Sequence, residues 1–405
     1  AAGLILLPEF RGNPMLGTAL DVQSECPELR EVIRLDEWKD FLASGDVWDG
    51  ELPDPDPMDP CMIQYTSGTT GFPKGALLFH RGLVNNGAHT GARMGISDGS
   101  VFILTMPLFH TGGCVLGVLT AVAARATIVL VEMFDPGLVL ELFEVYEGTA
   151  MLGVPTMLVA LLEHPDFTTR DLSHIEAICS GGSTVPAALV ERLEKELKAP
   201  FTIVFGQTEL SPVSSMTHAT DTIADKASTI GNAMPHVEIK IIDTETGETV
   251  PPRTVGEYCA RGYLVMHGYY EMPDATAETI DSDGWLHTGD VALLDEAGHY
   301  SIVDRLKELI KYNGFQVPPA ELEALLITHP SIADVAVVGV PDEAAGELPK
   351  AFVALSPGAS LTLDEVQAFV GEHLVSYKQI RLLETIDVIP KSASGKILRR
   401  ELRDQ

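Results

Sequence analysis

The chain has 405 residues, 45% hydrophobic and 21% charged, which suffices for one large core and a smaller second one and is too apolar for a disordered chain. Its formal net charge of -31 at pH 7 is spread along the chain without a polyacidic tail, which argues against nucleic acid or an anionic membrane as partner. An anionic ligand would need a locally positive site, so the places where Lys or Arg accompany Gly carry the most information.

In chain order, residues 1–10 hold an apolar run with no basic segment before it, so no signal peptide is read there. Glu51–Pro60, rich in Pro and Asp, reads as a loop or linker that delivers the chain into a strand at Cys61–Tyr65. Short β-rich runs at Ile103–Met106, Ala126–Val131, Ala177–Cys179 and Phe201–Phe205 alternate with helical patterns such as Gly137–Tyr146 and Pro186–Leu197. That alternation predicts parallel α/β layers. The most apolar stretch, Leu116–Met133, is broken by Arg125 and turns β-branched at Thr127–Val131, so it reads as a buried helix leading into a strand and not as a membrane span. Val237–Val265 becomes strands punctuated by the turns Asp243–Gly247 and Pro251–Gly256, a β-rich subdomain. The remaining roughly 100 residues after 306 have the size and pattern of a compact α+β unit. The fold class is therefore α/β: a large N-terminal domain, 1–306, of layered α/β subdomains plus a β-rich one, and a small α+β C-terminal domain, 307–405.

The five cysteines, Cys26, Cys61, Cys114, Cys179 and Cys259, are odd in number and far apart, with no C-x-x-C pair and no His at metal-ligand spacing. This argues against a disulfide framework or structural zinc and predicts reduced, buried thiols in a cytoplasmic protein.

Tyr65–Gly75 reads YTSGTTGFPKG. Its hydroxyls and bare backbone N–H groups, with Lys74 as a cation, form an anion cradle for a polyphosphate. It is not a Walker A loop, because Lys74 is followed by Gly75 and not by Ser or Thr.

The same string resembles the signature of the adenylate-forming superfamily, which includes acyl-CoA synthetases, 4-coumarate-CoA ligases, firefly luciferase and the adenylation domains of peptide synthetases. The resemblance continues in order through FGQTE at Phe205–Glu209, LHTGD at Leu286–Asp290, DRLKELIKYNGFQVPPAELE at Asp304–Glu323 and PKSASGKILRR at Pro390–Arg400. It implies that Thr66, Ser67, Gly68, Thr69, Thr70, Gly71 and Lys74 hold the β and γ phosphates of ATP, that Glu209 binds Mg2+ and that Thr208 faces the α-phosphate. Gly206 and Gln207 complete the nucleotide turn. Phe205 stands where the family usually has Tyr, keeping a stacking surface for adenine without the hydroxyl. SGGS, with Gly181, Gly182 and Ser183, resembles the adenine-side turn.

Asp290 would accept hydrogen bonds from the ribose diol, and Arg305 would contact the ribose from the other side. Lys396, on a small-residue loop, would neutralise the carboxylate and the α-phosphate during adenylation, where two anions must meet. Lys391, Arg399 and Arg400 read as solvated or near CoA phosphates. His110, in PLFHTGG, matches the histidine beside the acyl carboxylate, and Gly112 and Gly113 would leave space for acyl chain or pantetheine. Lys307 falls at the family's hinge; rotation there would exchange the Lys396 loop for the segment around Gly314, with Lys311 and Gln316 near the adenylate.

By resemblance, then, the chain activates a carboxylic acid, a fatty acid in the first instance, with ATP and Mg2+ and transfers it to CoA, as a cytoplasmic AMP-forming ligase that could work as a homodimer. Aryl and arylpropenoic acids stay open as substrates. So do a carrier-protein acceptor and oxidation of the adenylate. A non-catalytic nucleotide-binding homologue is disfavoured by intact Lys74, Glu209, Asp290, Arg305 and Lys396. The family's large domain begins before a segment resembling Ala1–Arg11, which implies a preceding N-terminal portion.

Overall fold

The computed structural model describes residues 2–45, 50–51, 53–66, 73–183, 185–391 and 397–403. The chain divides into two compact units, Ala1–Pro55 and Asp56–Gln405, so the division falls inside the Pro- and Asp-rich segment expected to act as a linker. In the first unit, strands Gly3–Leu6 and Glu31–Arg34 pair in parallel, accompanied by helices Met15–Gln23 and Trp38–Ser44.

The second unit is built on a seven-stranded sheet. Its order is Asn232–Ala233, Val213–Met216, Phe201–Gly206, Ala177–Gly181, Ala150–Leu152, Val101–Leu104 and Thr127–Leu130. The last five strands run parallel, and the first two pair antiparallel at the edge. A parallel strand buried on both faces must be apolar along its whole length, as Val101–Leu104 and Ala150–Leu152 are. Residues from the two faces form two separate cores, one around Phe102, Leu104 and Cys179, the other around Ile103, Phe143 and Phe201.

Local chemistry sets the element ends. Helix Pro136–Val145 starts with Pro at its first position and with the Asp135 carboxylate accepting from Leu138 N–H at 2.8 Å, one residue before the predicted start. Helix His80–Met94 stops at Gly95 in the left-handed region, φ 87°. The apolar stretch read as one helix followed by a strand contains, between Thr111–Gly113 and Thr120–Ala124, a π-helical segment at Cys114–Leu119, and then the strand Thr127–Leu130. Among the described residues no helix is long and apolar enough to cross a membrane.

Three further sheets complete the second unit. Strands Gly268–Tyr269, Lys74–Phe79 and Pro60–Thr66 form one, antiparallel throughout. The β-rich region forms a four-stranded antiparallel sheet from Val237–Ile242, Gly256–Gly262, Leu286–Leu294 and Tyr300–Arg305. The predicted boundary at 306–307 lies in the turn after Tyr300–Arg305. Beyond it, Phe315–Val317, Ile310–Tyr312, Gly346–Leu355 and Ile332–Asp342 make the last sheet, with Leu382–Thr385 added in parallel, over a core that includes Ile310, Leu322 and Val353.

Candidate active site

The site begins at the C-terminal end of Phe201–Gly206, where an α/β sheet leaves a crevice. Gly206 cannot carry a side chain, because a Cβ there would sit 1.9 Å from Pro212 O. The chain turns at once: Gln207 N–H donates to Pro212 O at 2.9 Å, and Thr208–Leu210 forms one 3-10 turn. Thr208 and Glu209 are half-buried on it. One strand over, Gly181 ends Ala177–Gly181; a Cβ on it would meet Val204 O at 2.7 Å. Gly182 follows with φ 80°, Ser183 is exposed, and Ser180 Oγ is buried with no hydrogen-bond partner among the described residues.

The ends of the anion cradle are joined. Thr66 and Lys74 are register partners, and Thr66 Oγ1 donates to Lys74 O at 3.3 Å. Ser67, Gly68, Thr69, Thr70 and Gly71 lie outside the described residues. Lys74 Nζ stands 4.7 Å from the centre of the Tyr269 ring, and Tyr269 OH donates to Glu209 Oε1 at 2.8 Å. Tyr269 thus links the predicted phosphate lysine to the predicted metal carboxylate. Burial first, and the negative charge of Glu209 second, push its phenol pKa up, so it stays a donor. Sequence reasoning missed this residue.

Asp290, 3% exposed, sits on a bulge between the paired strands Leu286–Leu294 and Gly256–Gly262. Its carboxylate accepts from Gln207 Nε2 at 2.5 Å and pairs with Arg305 Nε at 2.6 Å, its register partner on Tyr300–Arg305. Gln207 Nε2 also donates to Thr288 O at 2.9 Å. Gln207 therefore positions the Asp290 turn directly, and Arg305 reaches the carboxylate it was expected to face across a ribose. Phe205, half-buried beside them, meets Tyr258 edge-on with ring centres 5.3 Å apart.

His110 caps Thr111–Gly113: its Nδ1 accepts from Gly112 N–H at 3.0 Å. The residue is partly open to solvent, yet partial burial of the ring lowers its pKa, so the ring is neutral and carries its proton on Nε2. Gln64 Nε2 donates to Phe109 O at 2.7 Å, tying this segment to the cradle strand. The expectation for Gly113 is corrected. A Cβ there would lie 2.2 Å from Pro107 O, so its bareness admits backbone and not an acyl chain.

In the last hundred residues Lys307 is exposed in the turn whose Glu308 and Leu309 N–H groups donate to Arg305 O. Lys311 and Gln316 are exposed register partners on a hairpin closed by Asn313 and Gly314, both at positive φ, a type I′ turn. Lys396 lies outside the described residues. Arg399, read as solvated, is instead 13% exposed and forked on Glu323 at 2.6 and 2.7 Å. Lys391 pairs with Asp334 at 2.6 Å. The thiols also depart from expectation: Cys26 and Cys61 are exposed, and Cys259 Sγ lies 3.6 Å from His287 Nδ1, a contact across strands that linear spacing cannot show.

Residues 6–270 match the model of the AMP-binding enzyme family, and residues 321–396 match that of the AMP-binding enzyme C-terminal domain. The chain belongs to the AMP-binding enzymes. It is 42% identical over 355 residues to 4-coumarate–CoA ligase 4 of Arabidopsis thaliana, covering 86% of this chain and 62% of that protein. It is 40% identical over 402 residues to 4-coumarate–CoA ligase 3 of Oryza sativa subsp. japonica, covering 97% and 70%. The chain thus spans less than two thirds of the Arabidopsis relative's length. Among solved structures, ATP-bound MatB from Rhodopseudomonas palustris superposes with TM-score 0.88 at 26% identity, covering all of this chain and 78% of that one. O-succinylbenzoate CoA synthetase (MenE) from Bacillus subtilis, in complex with its acyl-adenylate intermediate, gives 0.86 at 28%, with the same coverage. In this AMP-binding enzyme Lys74 and Glu209 are joined through Tyr269, and Asp290 and Arg305 through Gln207, at the C-terminal end of Phe201–Gly206.

Proposed function

We propose that this chain activates a carboxylic acid with ATP, forming an acyl adenylate and pyrophosphate, and then passes the acyl group to the thiol of CoA with release of AMP. The observation that carries the reading is the convergence on Gln207–Glu209 of two connected sets, Lys74–Tyr269–Glu209 and Gln207–Asp290–Arg305. The first set suits a polyphosphate and the second a ribose.

A carboxylate fixed by a phenol is a hard oxygen ligand, so Glu209 suits Mg2+, which when bound offsets phosphate charge. Lys74 and residues 66–71 would hold the β and γ phosphates, Phe205 and the Gly181–Ser183 turn the adenine, and Asp290 with Arg305 the ribose. Neutral His110 would offer Nε2–H to the acid's carboxylate. Lys396 would neutralise carboxylate and α-phosphate as the P–O bond forms and pyrophosphate leaves. Residues 307–405 would then turn about Lys307 and present Lys311, Gly314 and Gln316 to the pantetheine.

For the acid, the sequence reading favours a fatty acid, in the cytoplasm. The names of the two plant relatives favour an arylpropenoic acid as the second reading.

Pyrophosphate release with Mg-ATP, measured against fatty acids, benzoates and cinnamates with and without CoA, decides among these. Acid-dependent release stimulated by CoA is expected, with AMP as co-product, and the best acid names the class. Lys396→Ala should abolish release yet still form thioester from a supplied acyl adenylate; equal loss of both steps would overturn its role.

A further inference from the structure

We propose that Glu257, Cys259 and His287 form a site for one thiophilic divalent cation of the Zn2+ type, set behind the turn that carries Asp290. No part of the adenylation chemistry uses these side chains. Glu257 and Cys259 lie two residues apart on one face of Gly256–Gly262, and His287 is the register partner of Cys259 on Leu286–Leu294.

The ligand atoms are already gathered. Cys259 Sγ and His287 Nδ1 are 3.6 Å apart, His287 Nδ1 and Glu257 Oε2 3.0 Å, and all three lie within 4.8 Å of one another. A tetrahedral Zn2+ with S at about 2.3 Å and N at about 2.0–2.1 Å sets those two ligands roughly 3.6 Å apart, the separation found here. The donors are a thiolate, an imidazole and a carboxylate, a set that selects Zn2+ over Mg2+ or Ca2+. Thiolate and carboxylate together carry two negative charges, which balance the cation.

Outer partners are also in place, as a built site requires. Asp281 Oδ2 stands 3.5 Å from His287 Nε2, on the ring nitrogen that would not bind the cation, and Glu257 Oε1 accepts from Gly289 N–H at 3.0 Å. The His287 side chain is 28% exposed, which leaves a path for the ion and for water as a fourth ligand. Without a cation the buried Cys259 thiol, its pKa pushed up to about 12, keeps its proton. Binding transfers the sulfur lone pair to the metal and releases that proton to solvent. Because Gly289 hangs on Glu257, occupancy would brace the Asp290 turn.

The test uses the full chain with Co2+ as an optical probe and Zn2+ in competition with a chromophoric chelator. The expected result is one site per chain, a thiolate-to-cobalt charge-transfer band, displacement of cobalt by zinc, and a higher melting temperature with either metal. Cys259→Ser should remove the band and weaken Zn2+ binding about 100-fold or more, and Asp281→Asn should weaken it roughly 10-fold, the scale of an outer-shell loss. The exposed-thiol variants Cys26→Ser and Cys61→Ser should change nothing. If Cys259→Ser fails to fold, the Asp281→Asn affinity and the band in the parent protein decide. A missing band, binding lost with Cys26 or Cys61, or binding indifferent to both Cys259→Ser and Asp281→Asn would overturn the site.

Discussion

Tyr269 touches Lys74 with its ring and Glu209 with its hydroxyl, so one side chain sets the distance between a cation and a carboxylate. A hydrogen bond to a charged group contributes about 1.5–3 kcal/mol, and solvent access to Glu209 places this one toward the lower end. Tyr269→Phe keeps the ring beside Lys74 and removes only the donor. Steady-state kinetics should show kcat/KM for Mg-ATP falling about 10-fold, with the melting temperature lower by about 2–4 °C; unaltered kinetics would assign Tyr269 to packing alone. At this scale the motifs named Lys74, Glu209, Gln207, Asp290 and Arg305 from the sequence, because each stands in a string whose neighbours restrict its setting. Tyr269 stands in no such string. Its partner is 60 residues away, and only pairing of Gly268–Tyr269 with Lys74–Phe79 brings it near.

Elements differ in what their glycines do. Gly206 is excluded from bearing a side chain by a backbone oxygen 1.9 Å from the Cβ position, which cannot move without breaking the Gln207 N–H contact to Pro212 O. Gly314 has no atom of the described residues within 4 Å of its Cβ position, and its φ of 79° is the constraint they impose. Gly206→Ala should therefore cost about 3 kcal/mol or more, as overpacking against backbone does, while Gly314→Ala should cost about 1 kcal/mol, the left-handed penalty alone. Urea unfolding midpoints of the two variants measure the difference, and equal costs would contradict it. Four of the five parallel strands, and the helices Pro136–Val145 and Ala187–Leu197, are readable from alternating patterns, with ends off by at most two residues; the three-residue strand Ala150–Leu152 is too short to stand out. The π segment Cys114–Leu119 is not readable, since its apolar residues and small side chains fit an α-helical turn equally well and no local pattern marks the extra residue per turn.

The whole molecule is strongly acidic, and its proposed substrates are anions. At about 0.01 M salt the Debye length is near 30 Å, so the far field repels ATP and CoA; at about 0.15 M it is near 8 Å, and only charges close to the site are felt. Raising salt across that range should increase kcat/KM for Mg-ATP by about 2-fold, whereas a protein with a basic field would lose rate. A fall would show that Lys74 and Arg305 govern approach from afar. Charge and domain-scale composition were legible without a structure. The partner of Arg399 was not, because Glu323 is 76 residues earlier and the fork forms only once the last sheet is assembled.

Both stretches proposed to handle phosphate are fastened at their base. Thr66 pairs with Lys74, and Lys391 bridges to Ile397 just before Arg399 grips Glu323. A change at a fastening breaks a strand pairing or an ion pair, whereas residues 67–71 and Lys396 are proposed to act on the substrate. In a cell, chaperones and proteases respond to the fraction unfolded, so variants at residues 67–71 or at Lys396 would accumulate at normal abundance while failing at turnover. Variants of the fastening residues would be cleared instead, and a survey of protein levels alongside growth would sort the two groups.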